Sequence, residues 1–230
     1  MSLAVQEASS GETKLHRSPS RFRLQPSGLV RLPLAAPGMR IGLYGGSFNP
    51  PHAGHRHVSL LALKRLGLDR VWWIVTPGNP LKNPGEAAPM QERILQAQAC
   101  AAHPRIDVTG FEEGIGIRYT IDTLRFLVRR HPGVRFVWLM GADNLAGLHR
   151  WRGWRQIARL MPIAIIDRPG WTLKSVRSRA ASAFAGARIP ESAAPALASR
   201  AGPAWTFLHG PRSFLSSTEI RRRKAMSQQR

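Results

Sequence analysis

One stretch limits what this chain can fold into more than any other. Arg40-Ile41-Gly42-Leu43-Tyr44 has the composition of a short buried strand. It runs directly into Gly45-Gly46-Ser47-Phe48-Asn49-Pro50-Pro51-His52-Ala53-Gly54-His55, and residues 54–67 then read as an amphipathic helix. Strand, glycine turn and helix is the frame in which an α/β sheet binds phosphate, because the helix N-terminus offers free N–H groups and the positive end of a dipole. Gly45 and Gly46 are expected to make the tight turn and to let a ligand approach bare backbone. The proline pair stiffens the approach to the helix and leaves no N–H to satisfy. His52 and His55 are three residues apart, which puts them on one face of a first helical turn. Two imidazoles and a helix N-terminus make a compact donor site for a polyphosphate.

The rest of the chain repeats the alternation. Val71-Trp72-Trp73-Ile74-Val75, Ile106-Asp107-Val108, Phe136-Val137-Trp138-Leu139-Met140, Ile163-Ala164-Ile165-Ile166 and Trp205-Thr206-Phe207-Leu208 read as further strands. The continuous apolar run Val71–Val75 is that of a strand covered on both faces. Helices are expected over residues 90–102, 119–130 and 151–160 and from Ser216 onward, with Ile121, Leu124 and Leu127/Val128 inward on the second of these. In the first helix Leu60, Leu61, Leu63 and Leu66 supply the core face, and Gly67 is the C-terminal stop. Residues 76–85 form a Pro/Gly-rich loop, and residues 171–203, rich in Ala, Ser and Arg, give no clear period. Alternating strands and helices predict a single α/β domain built on a doubly wound, mainly parallel sheet, with ligands beyond the carboxyl ends of the strands. Residues 1–38, broken by Pro19, Pro26, Pro33 and Pro37, read as a flexible, mildly basic extension before a domain at 39–226.

The formal net charge is +21, and only five of the 34 basic residues are lysine. A nucleic-acid binder and an enzyme for anionic nucleotides both carry such an excess. The arginines are scattered and lack aromatics interleaved along one stripe, so the reading is a compositional bias to which phosphate substrates add, with no nucleic-acid partner. No apolar run approaches the length of a membrane span, so no membrane association is expected. A lone cysteine, Cys100, excludes an intrachain disulfide and a cysteine metal cage, which fits a cytoplasmic protein. With 13 acidic residues and no metal spacing among His57, His103, His131, His149 and His209, no protein-held metal site is expected.

A second phosphate-type signal lies near the C-terminus, in Leu215-Ser216-Ser217-Thr218-Glu219-Ile220-Arg221. Ser and Thr hydroxyls and the free N–H groups of a first turn hold phosphate, and Arg221 lies three residues past Thr218, over the same turn.

Together these stretches resemble a known superfamily. Gly46, Phe48, Pro50, His52, Gly54 and His55 fall in register with the G-x-F-x-P-x-H-x-G-H signature of the HxGH nucleotidyltransferases, and the Ser217 segment is similar to their I-S-S-T-x-I-R. Arg118-Tyr119-Thr120-Ile121-Asp122-Thr123-Leu124, Gly141-Ala142-Asp143 with Trp151-Arg152 further on, and Arg168-Pro169-Gly170 resemble segments of bacterial nicotinate-nucleotide adenylyltransferases, over roughly residues 40–224. The resemblance implies a Rossmann-like nucleotidyltransferase fold. It implies adenylyl transfer from ATP to nicotinate mononucleotide, giving nicotinate adenine dinucleotide and pyrophosphate, a step of NAD biosynthesis. Nicotinamide mononucleotide or phosphopantetheine is the alternative acceptor.

It also implies roles. His52, His55 and Arg221 are the catalytic residues. Gly45, Gly46, Ser47 and Phe48 lie against substrate. Ser217 and Thr218 steady the β and γ phosphates, and Lys82 contacts ATP phosphates, although the histidine that many members carry before that lysine is absent here. Backbone N–H groups near Thr120 and near Trp151-Arg152 hold the nicotinate carboxylate while Trp151 stacks on its ring. Gly141 and Asp143 meet ribose hydroxyls or a base amide, and Arg168 lines the site. Mg²⁺ is the expected cofactor, held mainly by the ATP phosphates. The sequence leaves open whether the chain forms a homo-oligomer.

Overall fold

The computed structural model describes residues 31–78, 87–210 and 217–227. Its strands are β1 (Arg40–Gly46), β2 (Arg70–Val75), β3 (Ile106–Thr109), β4 (Arg135–Gly141), β5 (Ile163–Ile166) and β6 (Trp205–Leu208). Its helices are α1 (Ala53–Arg65), α2 (Met90–Ala101), α3 (Phe111–Gly114), α4 (Thr120–Arg130), α5 (Ala142–Gly147), α6 (Trp154–Leu160), α7 (Thr172–Val176), α8 (Arg179–Ala183) and α9 (Ser217–Ser227). Among the described residues the strands form one sheet in the order β3-β2-β1-β4-β5-β6, and every pairing is parallel. The order reverses between β1 and β4, so the crevice above the carboxyl ends of those two strands is the ligand position of a doubly wound sheet.

The period of two along each strand sends alternate side chains to opposite faces. Trp73, Val71 and Val75 join Val58, Ala62 and Leu66 of the α1 layer, with Ile94 and Ala97 of α2, in one core. Trp72 and Ile74 join Ile121, Leu124 and Leu127 of α4, with Ile157 of α6, in the other. The strand expected to be covered on both faces is therefore so covered. Some helical details differ from the sequence reading. In α1 the buried stripe is Val58, Ala62, Leu63 and Leu66, with Leu60 and Leu61 only half-buried, because the helix begins at Ala53. In α4 Val128 faces out, one position past the stripe that Leu124 and Leu127 define. Gly67 stops α1 as expected, with φ 60°.

The end of the expected extension lies against the body. The carbonyl of Arg31 accepts from Thr109 Oγ1 at 2.7 Å, the N–H of Gly38 bonds the carbonyl of Gly133 at 2.8 Å, and Leu32 and Ala35 pack on the second core. Residues 31–38 thus belong to the folded unit, and the part of the extension before them is outside the described residues. The unreadable stretch 171–203 consists of α7, α8 and 3₁₀ turns at 185–187 and 191–199, buried through Ala180, Ala181, Ala194 and Leu197.

Candidate active site

The phosphate loop is not made as its glycines suggest. Gly45 and Gly46 stay in β1, paired with Ile74 and Val75. A Cβ on Gly45 would come within 2.6 Å of the Trp138 ring, so that glycine admits an indole from β4. The chain turns at Phe48 instead, whose φ of 45° lies in the left-handed region. That conformation costs a non-glycine residue on the order of 1–2 kcal/mol. Packing holds it: the Phe48 ring is buried, stacks on Trp73 at 4.8 Å and lies 4.9 Å from the His55 ring.

His52 and His55 are brought together, their ring centroids 3.9 Å apart. His52 is the N-cap of α1 rather than a first-turn residue. Its Nδ1 accepts from the N–H of Gly54, and its own N–H donates to Nδ1 of His55, both at 3.2 Å. Each imidazole uses Nδ1 as an acceptor, so each neutral ring carries its proton on Nε2. His52 is only 6% exposed and its Nε2 has no partner among the described residues. A buried ring N–H without an acceptor is costly unless a ligand supplies one. Burial, reinforced by the Arg168 cation, lowers the His52 pKa to about 4. Burial, then His52 and Arg168, hold His55 well below the ordinary histidine value. The pair is therefore neutral at pH 7 and acts as two hydrogen-bond donors, not as two cations.

The loop beneath them is held through its carbonyls. Ser217 Oγ donates to the carbonyl of Pro50 at 2.8 Å, and Arg221 Nη1 to that of Asn49 at 2.6 Å. The N-terminus of α9 thus docks on the loop before α1. Part of the donor capacity that the sequence reading gives to phosphate is used for this docking. Arg221 keeps other N–H groups, since a guanidinium has five, and Thr218 is exposed beside it. Lys82 lies outside the described residues.

Across the switch point, Gly141 is the N-cap of α5 and Asp143 lies in its first turn. Asp143 does not cap the helix: its Oδ2 pairs with Arg168 Nη1 at 3.2 Å, and its buried Oδ1 has no partner among the described residues. A Cβ on Gly141 would stand 2.4 Å from that Oδ1 and 3.1 Å from Arg168 Cδ, so the glycine clears the space for the pair. Asp167 aims Arg168, its Oδ1 accepting from the Arg168 N–H at 2.9 Å and from Thr172 Oγ1 at 2.6 Å. Tyr44 at the end of β1 stands within the field of the same ion pair, and burial raises its hydroxyl pKa to about 12. Sequence reasoning missed Tyr44, whose strand pattern marks it only as core.

The third corner joins Thr120 to Arg152. Trp151 and Arg152 are not helical: a 3₁₀ turn at 148–150 ends at Trp151, and Gly153, with φ 64°, redirects the chain into α6. A Cβ on Gly153 would sit 3.4 Å from Ile121, which draws this turn onto the start of α4. The Arg152 guanidinium lies 4.6 Å over the Tyr119 ring. One expected donor is lost, because the Trp151 N–H bonds the carbonyl of Leu148 at 2.9 Å. The first N–H groups of α4, from Thr120 and Ile121, have no intrahelical acceptor by the geometry of a helix start. Trp151 is half-buried against the second core, and Trp154 is in it.

Two histidine donors, a held loop at a helix start and a second helix docked on it, all at the switch point of a parallel sheet, define a nucleotidyltransferase. Residues 43–223 match the cytidylyltransferase-like family, and the chain belongs to it. Within that family it falls among the nicotinate-nucleotide adenylyltransferases. It is 68% identical over 185 residues to the probable nicotinate-nucleotide adenylyltransferase of Methylorubrum extorquens, covering 80% of this chain and 100% of that one. It is 55% identical over 191 residues to that of Mesorhizobium japonicum, covering 83% and 98%. The nicotinic acid mononucleotide adenylyltransferase of Plasmodium falciparum, solved with NaAD, shares the fold with a TM-score of 0.61 at 18% identity, over 80% of this chain and 83% of that one.

Proposed function

We propose that this protein joins nicotinate mononucleotide to the adenylyl group of ATP, forming nicotinate adenine dinucleotide and pyrophosphate in NAD biosynthesis. The observation that carries the mechanism is the buried, unpartnered Nε2 of His52, held 3.9 Å ring to ring from His55 at the start of α1. The phosphate oxygen of the mononucleotide attacks the α-phosphorus of ATP, and the bond to the bridging oxygen breaks to release pyrophosphate. The nucleophile is already anionic, so the protein need not remove a proton, and catalysis is positioning and charge stabilisation. Fixed Nε2–H donors suit that work: they are aimed in advance and lose no proton to the substrate. His52 and His55 donate to ATP phosphate oxygens, His55 most directly as charge develops. Thr218 and the remaining N–H groups of Arg221 take the outer phosphates.

Asp143 Oδ1 accepts from hydroxyls or an amide of bound nucleotide. The start of α4 with Arg152 takes the nicotinate carboxylate, and Trp151 covers the ring. Mg²⁺, carried in with ATP, would supply neutralisation of the triphosphate charge. Its ligands would be mainly ATP phosphate oxygens and water. Among the described residues no helix is long and apolar enough to cross a membrane. Incubating the protein with ATP, Mg²⁺ and nicotinate mononucleotide should release pyrophosphate and form the dinucleotide in equal amounts. Absence of both products overturns the assignment.

A further inference from the structure

The most deeply buried cation described belongs to none of the expected motifs. Arg93, in the second turn of α2, is 2% exposed and forms no ion pair among the described residues. Burial lowers its pKa, and the nearest compensating charge, Glu113, acts only through space. Its partners are four backbone carbonyls. Nη1 donates to Ser47 at 2.7 Å and to Thr76 at 2.9 Å, Nε to Ala88 at 2.9 Å, and Nη2 to Pro77 at 3.3 Å. Four of the five N–H groups of a guanidinium are thereby used. The carbonyls come from three places: the phosphate loop, the end of β2, and the segment leading into α2. A second bond joins the outer two, from the N–H of Ala88 to Oδ1 of Asn49 at 3.3 Å.

Ser47 immediately precedes Phe48, the residue in the left-handed region whose ring rests on Trp73 and His55. The next carbonyls, of Asn49 and Pro50, are held from the other side by Arg221 and Ser217. The loop that presents His52 is therefore gripped between two arginines, one facing substrate and one wholly internal.

We propose that Arg93 is a positioning residue for adenylyl transfer, fixing the phosphate loop against the end of β2 and the start of α2 so that His52 and His55 keep their aim; this rests on the adenylyltransferase reading above. A side chain that only filled the core could be replaced by any group of equal volume. A fork that holds three segments cannot, and lysine, with one nitrogen, does not span them.

Arg93→Lys and Arg93→Met in the full chain test this, with three measurements on each: the melt, kcat with both KM values, and ¹⁵N imidazole spectra of His52 and His55. Loss of aim by a fraction of an ångström should lower kcat at least about thirtyfold, while KM for the mononucleotide changes less than about threefold, because the acceptor corner does not touch Arg93. The imidazole spectra should lose the pattern of acceptor Nδ1 and protonated Nε2. In Arg93→Ala, added guanidinium ion should restore part of kcat. A cooperatively melting Lys or Met variant with wild-type kcat and unchanged imidazole signals overturns the proposal. So does the failure of both variants to give a cooperative melt, since Arg93 then serves the fold as a whole. If the wild-type protein itself releases no pyrophosphate, the functional reading falls and the imidazole spectra decide alone: displaced signals in a folded variant support positioning, and constant ones overturn it.

Discussion

The two ends of the substrate crevice are built on opposite principles. At the phosphate loop the carbonyls are held by side chains from outside the loop. The carbonyls of Ser47, Asn49 and Pro50 accept from Arg93, Arg221 and Ser217, and the two imidazoles accept from the backbone N–H groups of His52 and Gly54 at the helix start. Among what is left over is the buried Nε2–H of His52, without a partner among the described residues. At the acceptor corner little is committed. The first N–H groups of α4 are open, Arg152 rests on Tyr119, and Asp122 is turned to Arg125 at 3.7 Å. A preorganised end lowers a barrier because nothing must reorganise as charge develops. An open end of donors chooses among ligands by what they can accept. On the proposed function, the difference assigns rate and acceptor choice to separate parts of this crevice, which should respond separately to change.

The largest effect that can break this comparison is at His55. His55→Ala should lower kcat by a hundredfold or more, on the order of 3 kcal/mol of transition-state stabilisation. It also removes one half of the cap on α1, worth about 1 kcal/mol, so the melt should fall only slightly. Steady-state kinetics beside a thermal melt checks both. Near-normal turnover would mean that the committed end is structural only.

Acceptor choice is next. Nicotinate and nicotinamide differ by a carboxylate against an amide, and a corner of donors leaves the amide NH₂ without an acceptor. A buried mismatch of that kind costs roughly 1–3 kcal/mol. The acid mononucleotide should be preferred at least about tenfold in kcat/KM, read side by side at subsaturating substrate. Equal rates would show that the corner supplies an acceptor as well.

A smaller effect is expected where the two ends meet. Gly141→Ala places a Cβ 2.4 Å from Asp143 Oδ1, and the carboxylate must swing away from its position. Both atoms it meets are parts of side chains, so the sheet should survive. KM for one nucleotide should rise about threefold to tenfold while kcat holds, since the displaced group binds and does not react. A fall in kcat with unchanged KM would place Asp143 in the committed end.

The sequence made some of this plain and hid the rest for definite reasons. The central runs of β2, β4 and β5 became strands because a central parallel strand must be apolar on both faces, while β3 and β6 took the edges. His52 and His55 met because an N-cap side chain and the side chain three residues on cap the same helix start. The glycine pair misled: Gly45 is small to admit Trp138, a contact across the sheet that no local pattern reveals. Trp151 and Arg152 were read as helical because nothing local shows that Gly153 adopts a left-handed conformation there. Arg93 did leave a trace. It stands on the inward stripe of α2 with Met90, Ile94 and Ala97, where a cation is out of place unless something within requires it. Arg31–Gly38 packed for the opposite reason: Leu32 and Ala35 are too few to form a period, yet enough to lie on a core already built.

The smallest effect tests the comparison through pH, because the two ends carry shifted groups of opposite sign. Burial lowers His52 to about 4. A histidine depressed in the folded state is protonated first in the unfolded chain, so its contribution is complete above the ordinary histidine value and is lost as pH falls toward 4. The acceptor end depends on Glu112, buried under α4 and receiving the Thr123 hydroxyl proton. Burial raises its pKa to about 7, against the opposing pull of that bond. A carboxyl raised in the folded state contributes most below the ordinary glutamate value and loses that contribution as pH climbs to 7. Between the two ordinary values, about 4.5 and 6.5, the histidine and glutamate slopes oppose each other, so removing one kind or the other should tilt the melting-temperature profile in opposite directions. Glu112→Gln removes the alkaline loss and should leave a melting temperature that only rises with pH across this window. His52→Asn removes one of two histidine losses, since His55 is depressed as well, and should leave a melting temperature that rises less with pH than that of Glu112→Gln. Parallel profiles for the two variants would mean that the ends are not electrostatically separate, and that one network of charge runs the length of the crevice.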